Sequence, residues 1–143
     1  MTAEKEITPE TREQLRRVRA TLLPLHKTLL DFERLAYERA HGAIGNSYQF
    51  LQLVMGDAWF AWLRQLSEMI VEMDESLAAK ETPNEGTAVA LMEQARILLT
   101  PAEAGGEFQR KYYLAMQQSP EVVMAHSEFA RVLGPARLSK EVH

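Results

Sequence analysis

The chain has 143 residues, of which 46% are hydrophobic and 25% charged, and its formal net charge is −4. This length and composition are typical of a single globular domain. The negative charge argues against nucleic acid as a partner, because binding it depends on cationic contacts to phosphates. The absence of cysteine excludes disulfides, thiolate nucleophiles and thiolate metal sites.

The sequence pattern predicts neither a signal peptide nor a membrane-spanning segment. The first ten residues, MTAEKEITPE, lack the apolar core of a signal peptide. No apolar run approaches the roughly 20 residues that span a bilayer. We therefore expect a cytoplasmic protein that does not associate with membranes.

Pairs of a hydroxyl residue and a proline mark the expected helix starts. The hydroxyl accepts a hydrogen bond from a first-turn amide, and proline fits the next position because its missing N–H would have no partner there. The four pairs are Thr8-Pro9, Thr82-Pro83, Thr100-Pro101 and Ser119-Pro120. The second and third pairs extend into capping boxes that end at Glu85 and Glu103. Since no segment alternates as a strand would, we predict an all-α fold.

The first predicted helix covers about residues 9–40 and ends at His41-Gly42. Its inward positions recur at steps of three and four and are Leu15, Val18, Leu22, Leu25, Leu29, Phe32 and Ala36. Pro24 lies inside this run, where it costs about 3 kcal/mol in an unbroken helix. Because the apolar phase is the same before and after Pro24, we predict one kinked helix. A short helix over 47–55 should follow.

The strongest helical pattern covers residues 57–80, which we predict to be one α-helix capped by Asp57. Its apolar face consists of Trp59, Leu63, Leu66, Ile70, Met73 and Leu77, widened by Trp62 and Met69. The other side consists of Arg64, Gln65, Glu68, Glu72 and Glu75. This pattern predicts a helix with one face against the core.

Three more helices are predicted: one starting at Thr82, one over 107–118 and one from Ser119-Pro120 to Gly134. A capped turn or short helix over 100–106 should connect the first two. Their inward residues are expected to be Ala88, Leu91, Ala95, Leu98 and Leu99, then Phe108, Tyr112 and Ala115, then Val122, Val123, His126, Phe129, Ala130 and Leu133. Short connections favour an up-and-down bundle of four main helices, with the first and last kinked or broken. The chain should form one domain, ordered over about 8–134, with a flexible tail over 135–143.

Four polar residues on three helices lie beside or within the apolar faces. They are His26 and Glu33 on the first helix, Asp74 on the tryptophan helix and His126 on the last helix. Because a buried charge or imidazole without a partner is costly, these groups are expected to meet. They form either a divalent metal site or, as the more common arrangement, a hydrogen-bonded polar core. His26 and Glu33 are about 10.5 Å apart along the helix axis, so we do not expect both to bind one ion. A carboxylate-bridged di-iron site uses two Glu-x-x-His motifs, and the motif at 38–41 has no second copy.

A small-molecule pocket is a further hypothesis, with Trp59, Trp62, Tyr37 and Ser67 as its candidate residues. At helical spacing, tryptophans belong more often to the core than to a pocket. The glycines lack the spacing of a phosphate-binding loop, and Ser67 inside a helix is a poor nucleophile. We therefore name no catalytic residue.

The run DAWFAWLRQLS at residues 57–67, continued by Asp74-Glu75, resembles a family of small bacterial all-helical proteins of unknown function. The segments LDFERLAYE at 30–38 and GGEF at 105–108 fit the same pattern. The resemblance implies a bacterial source and a helical bundle, and it implies no activity. We therefore predict a binding or interaction domain rather than an enzyme, with a second copy or another protein as partner. The alternatives are the metal-binding bundle and the small-molecule pocket.

Overall fold

A computed structural model describes residues 5–79 and 84–135 of the chain. In these two ranges the chain forms α-helices, one 3-10 helix and an isolated bridge between Glu6 and Asn84, with no strand, which confirms the predicted all-α class. The elements are α1 (Pro9–His41), α2 (Ser47–Gly56), the 3-10 helix (Ala58–Leu63), α3 (Arg64–Ala78), α4 (Glu85–Leu98), α5 (Glu107–Gln118) and α6 (Pro120–Leu133). Within the described part of the chain, none of these helices combines the length and the apolar character needed to cross a membrane.

The long helix α1 is the axis of the fold, because α3, α4, α6 and the 3-10 helix all pack against it. Its fully buried residues are Leu15, Val18, Leu22, Leu25 and Leu29, as the spacing predicts. The helix continues through Pro24 as one element, so a break at this residue does not occur. Pro24 and Ala20 are both exposed, so the hydrogen bond that Pro24 cannot donate to the Ala20 carbonyl is lost on the solvent side of the helix.

The start of α1 is tied to the start of α4. Thr8 caps α1 as predicted, since its Oγ1 accepts from the Thr11 backbone amide at 3.0 Å. The Glu85 carboxylate then accepts from the Thr8 amide at 2.9 Å and from the Thr11 hydroxyl at 2.6 Å. Because the two helices begin side by side and pack together, they run parallel.

Two further hydrogen bonds near the same end of α1 show the direction of α3 and α6. Arg12 donates to the Leu77 carbonyl at 3.1 Å, and Gln14 donates to the Val132 carbonyl at 2.7 Å. Both acceptors lie in the last turn of their helices, beside the first turns of α1. Therefore α3 and α6 run antiparallel to α1.

The tryptophan segment is not one α-helix, so this part of the prediction is wrong. Residues Ala58–Leu63 form a 3-10 helix, and α3 begins only at Arg64. The predicted cap is correct, because Asp57 accepts from the Trp59 amide at 2.8 Å. At three residues per turn, Phe60 and Leu63 stack on one face, and both are buried. Trp59, predicted as the first residue of the apolar face, is only half-buried.

Helix α4 begins at Glu85 with Asn84 as its cap, whose Oδ1 accepts from the Gly86 amide at 2.6 Å. The predicted start at Thr82-Pro83 lies outside the described residues. The predicted capping box at 100–103 is wrong, because the Thr100 hydroxyl donates back to the Arg96 carbonyl at 2.6 Å and no helix begins there. The predicted inward residues of α4 are all buried.

Helix α5 has the predicted bounds and the predicted buried face. Helix α6 begins at Pro120 and ends before Gly134, whose φ of 76° suits glycine at a C-cap. The predicted inward face of α6 is partly wrong, since Val123 and Ala130 are exposed while Val132 is buried. Helix α6 is rotated so that Val132 faces α1, and the Val132 carbonyl accepts a hydrogen bond from the side-chain amide of Gln14. The predicted flexible tail, apart from its first residue at 135, lies outside the described residues.

Candidate functional site

Tyr112 on α5 and His126 on α6 form a polar pair at the edge of the core. The Tyr112 hydroxyl lies 2.7 Å from Nδ1 of His126, and the two rings meet edge to face at 5.5 Å. Burial lowers the pKa of His126 below its usual 6.5 and raises the pKa of Tyr112 above its usual 10. Both groups are therefore neutral near pH 7, and each satisfies the other.

Glu33 and Asp74, the two carboxylates of the predicted metal site, have separate partners. Nε1 of Trp62 donates to Oε2 of Glu33 at 2.6 Å, which joins α1 to the 3-10 helix. Asp74 forms an ion pair with Arg19, which joins α3 to α1. These contacts leave the two carboxylates in different parts of the structure.

The fourth candidate ligand, His26, is half-buried on α1, and burial lowers its pKa below 6.5. Among the described residues, no group of three or more His, Cys, Asp or Glu side chains is arranged to hold a metal ion. The structure thus does not bring His26, Glu33, Asp74 and His126 together. Metal binding stays a prediction that no observation favours.

The candidate residues of the small-molecule pocket also divide between two places. Tyr37 and Trp59 meet edge to face at 5.6 Å, and His41 lies 5.5 Å from Trp59. Trp62 instead packs against Phe108 of α5 at 5.1 Å. The Ser67 hydroxyl donates to the Arg64 carbonyl of its own helix at 3.0 Å. The structure therefore does not place both tryptophans in a single pocket.

Trp62 instead lies at a cleft of about 600 Å³ between α3, α4 and the start of α5. The buried rings of Trp62 and Phe108 form its floor together with Met69 and Leu98. Its charged lining residues are Glu68, Glu72 and Glu107, and no described lining residue is a lysine or arginine. The cleft thus combines an aromatic floor with an acidic rim.

The other unusual surface is the outer face of α2, and we call it the α2 stripe. It consists of Tyr48, Leu51, Gln52 and Met55, which follow one another at the spacing of a single helix face. All four residues are exposed, and Gln52 donates to the Tyr48 hydroxyl at 3.1 Å. The stripe presents three large apolar side chains and no charge.

Sequence reasoning missed both surfaces, although each has a signal in the sequence. Helix α2 contains no charged residue at all, which is unusual for a helix with one face in water. Glu68 and Glu72 are four residues apart on one helix, an arrangement of like charges that slightly destabilises the helix. Only the fold shows that these two carboxylates face a cleft whose floor includes Trp62 and Phe108.

The comparisons with known proteins return no similarity that bears on function. The chain matches no protein-family model, and neither the curated proteins nor the solved structures include a significant match. The resemblance of residues 57–67 to a bacterial helical family therefore stays a prediction.

Proposed function

We propose that this protein is an interaction module that forms a homodimer through the α2 stripe. One observation carries the proposal: α2 is the helix that, alone among the described helices, has no buried residue, although Tyr48, Phe50, Leu51, Leu53, Val54 and Met55 make up more than half of it. Contiguous apolar surface that the chain itself leaves uncovered is typical of a protein contact site.

The inner side of α2 is anchored to its own chain, which holds the stripe in a defined orientation. Phe50 meets Phe60 edge to face at 5.7 Å, and the Arg34 guanidinium lies 4.7 Å from the centre of the Phe50 ring. These contacts are made by the face of α2 opposite Leu51 and Met55. The stripe is therefore presented to solvent by a fixed support.

A second copy is the partner that this surface suits best. In a two-fold dimer the same patch meets itself, so any charge on the patch would face a like charge. The α2 stripe avoids this conflict because it has no acidic or basic residue. Two α2 helices can pack together with Leu51 and Met55 at the centre and the bonded Tyr48–Gln52 pair at the rim.

The size of the stripe predicts a weak dimer. Stable interfaces use roughly 20–30 residues on each side, and the stripe supplies only four side chains from a ten-residue helix. We expect monomer and dimer to exchange in the micromolar to millimolar range of protein concentration. A weak, reversible association of this kind suits a module that assembles when its local concentration rises.

Sedimentation velocity over that concentration range tests the proposal. The wild type should shift from monomer to dimer, and Leu51→Glu should remain monomeric, because a charge then faces its copy across an apolar contact. Leu114→Glu on α5 is the matched control, since Leu114 is 54% exposed and Leu51 is 52% exposed. A wild type that stays monomeric, or a dimer that survives Leu51→Glu, would refute the proposal.

The arrangement that carries this surface is, in our proposal, an up-and-down bundle of four main helices. Its members are α1, α3, α4 and α6, and α5 turns back along α6 at Ser119-Pro120. The contacts of Arg12, Gln14 and Glu85 support alternating directions along the chain. We also propose that the protein is cytoplasmic and comes from a bacterium.

A further inference from the structure

We propose that the cleft between α3, α4 and α5 is a binding site for an aliphatic diamine or polyamine. The site is separate from the α2 stripe, and neither proposal depends on the other. Its volume of about 600 Å³ falls within the 300–1,000 Å³ of typical small-molecule sites. A cleft of this size does not fit a folded protein, because protein–protein interfaces bury a far larger surface.

The charge of the cleft indicates a cationic ligand. Glu68 and Glu72 lie one helical turn apart, about 6 Å along α3, and both side chains line the cleft. No described lysine or arginine forms an ion pair with either of them. Glu107, the third carboxylate, is 3.8 Å from Lys111 and is partly neutralised. Two uncompensated carboxylates therefore remain at the rim.

Elsewhere in the molecule, basic residues compensate several carboxylates. Several carboxylates on the other helices are paired with a basic residue one turn away, as in Glu13–Arg16 at 2.7 Å and Lys27–Asp31 at 2.8 Å. One basic residue, Arg64, lies one turn before Glu68, but its guanidinium donates to the Met55 carbonyl at 2.8 Å and forms no ion pair with Glu68. A cation bound in the cleft would supply the partner that Glu68 and Glu72 lack.

The floor of the cleft indicates that the cation has an apolar body. Trp62 and Phe108 are each 5% exposed and pack edge to face at 5.1 Å. Methylene groups pack well against the accessible edges of such rings and against Met69 and Leu98, which also line the cleft. A chain of methylene groups between two ammonium groups matches both the floor and the pair of carboxylates.

The cleft also contains neutral hydrogen-bond acceptors for the ammonium groups of this ligand. Gln65 and Gln94 line the cleft from α3 and α4, and their amide oxygens can accept from ammonium groups. The Gln109 side chain is already used, because it donates to the Ile97 carbonyl at 3.0 Å and accepts from the Gly106 amide at 2.9 Å. These bonds hold the α4–α5 connection as a fixed wall of the cleft.

Isothermal titration of the 143-residue chain with putrescine and spermidine tests the proposal. We expect a Kd below about 1 mM for at least one of them, and weaker binding as the salt concentration rises. Ammonium chloride and magnesium chloride are the control ligands, since they supply positive charge without the aliphatic body. Equal heats for magnesium and the polyamines would show a counterion effect only and would overturn the proposal.

A pair of double variants then locates the site. Glu68→Gln with Glu72→Gln should weaken polyamine binding at least about tenfold. The matched control, Glu10→Gln with Asp31→Asn, removes the same charge from exposed positions on α1 and should leave the Kd unchanged. All four positions are exposed, so both variants should fold, which circular dichroism checks. An unchanged Kd in the cleft variant, or equal losses in both variants, would overturn the proposal.

Discussion

Trp59 and Trp62 show how two equal residues in one pattern acquire different roles. Trp62 is 5% exposed and its indole N–H donates to Glu33 at 2.6 Å. Trp59 is half-buried, and its indole N–H is buried without an acceptor among the described residues. The first ring contributes a charge-assisted hydrogen bond to the fold, while the second contributes ring contacts with Tyr37 and His41.

This difference predicts unequal effects of the same substitution. Trp62→Phe should lower the free energy of unfolding by at least about 1.5 kcal/mol more than Trp59→Phe, because it alone breaks a hydrogen bond to a carboxylate. Urea denaturation followed by circular dichroism measures both losses, and Trp59→Phe serves as the control for the smaller ring. Equal losses would show that the Trp62–Glu33 bond contributes nothing net.

At the scale of the element, local signals account for most helix ends. Thr8, Asp57 and Ser119 cap their helices with the side-chain bonds that the sequence predicts. Thr100 has the same residue pattern and does the opposite, because its hydroxyl bonds to the Arg96 carbonyl at the end of α4. A Thr-Pro pair therefore begins a helix at Thr8 and follows the end of one at Thr100.

Pro24 allows a prediction about α1 as an element. The helix runs through this exposed proline although the residue removes one helical hydrogen bond. Pro24→Ala should raise the free energy of unfolding by about 2 kcal/mol, which is the roughly 3 kcal/mol propensity difference less the entropy that alanine returns to the unfolded chain. Thermal and urea unfolding measure this gain.

Pro9→Ala is the matched control for Pro24→Ala. Pro9 lies at the first position of α1, where a backbone N–H would have no helical acceptor. The control should lower the free energy of unfolding by about 0.4–1 kcal/mol, because only the entropy that alanine returns to the unfolded chain applies there. A destabilised Pro24→Ala variant would mean that the proline sets a bend on which the packing of α3 or α6 depends.

At the scale of the whole molecule, α1 determines which surfaces remain free. It packs against α3, α4 and α6 along its buried row. The half-buried His26 of α1 and His126 of α6 lie beside this core, while α2 remains outside it. The packing therefore leaves two imidazoles in partly dry surroundings and one apolar helix uncovered.

The two histidines make the global stability depend on pH. Burial lowers the pKa of His26 and of His126 below 6.5 in the folded protein, so the unfolded chain binds protons more readily. Stability from these groups is complete above about pH 6.5 and falls as the pH drops through that value toward the lowered pKa values. The Tm measured by circular dichroism should therefore fall between pH 7.5 and pH 5.5.

A double variant isolates the contribution of the histidines. His26→Gln with His126→Gln removes both titrating groups while keeping polar side chains of similar length. Its Tm should change less over the same pH range than that of the wild type. A parallel decline in both proteins would assign the pH dependence to carboxylates instead.

The sequence by itself determined the features that depend on neighbours within a few residues. The all-α class, the bounds of α5 and the buried rows of α1 and α4 follow from periodicity and from capping chemistry, both of which act within one or two turns. The same reasoning identified Trp62 and Phe108 as large apolar groups on inward faces. These features require no knowledge of what the helices pack against.

Only the tertiary structure decided which groups meet. The 3-10 geometry of Ala58–Leu63, the Glu85 contact with the start of α1 and the pairing of His126 with Tyr112 are all set by segments that are distant in the sequence or by packing against them. The predicted convergence of four polar residues did not occur, because Trp62 and Arg19 supply nearer partners for the carboxylates. Periodicity places a side chain on a face of its helix, whereas the rotation of that helix against α1 decides what the face contacts.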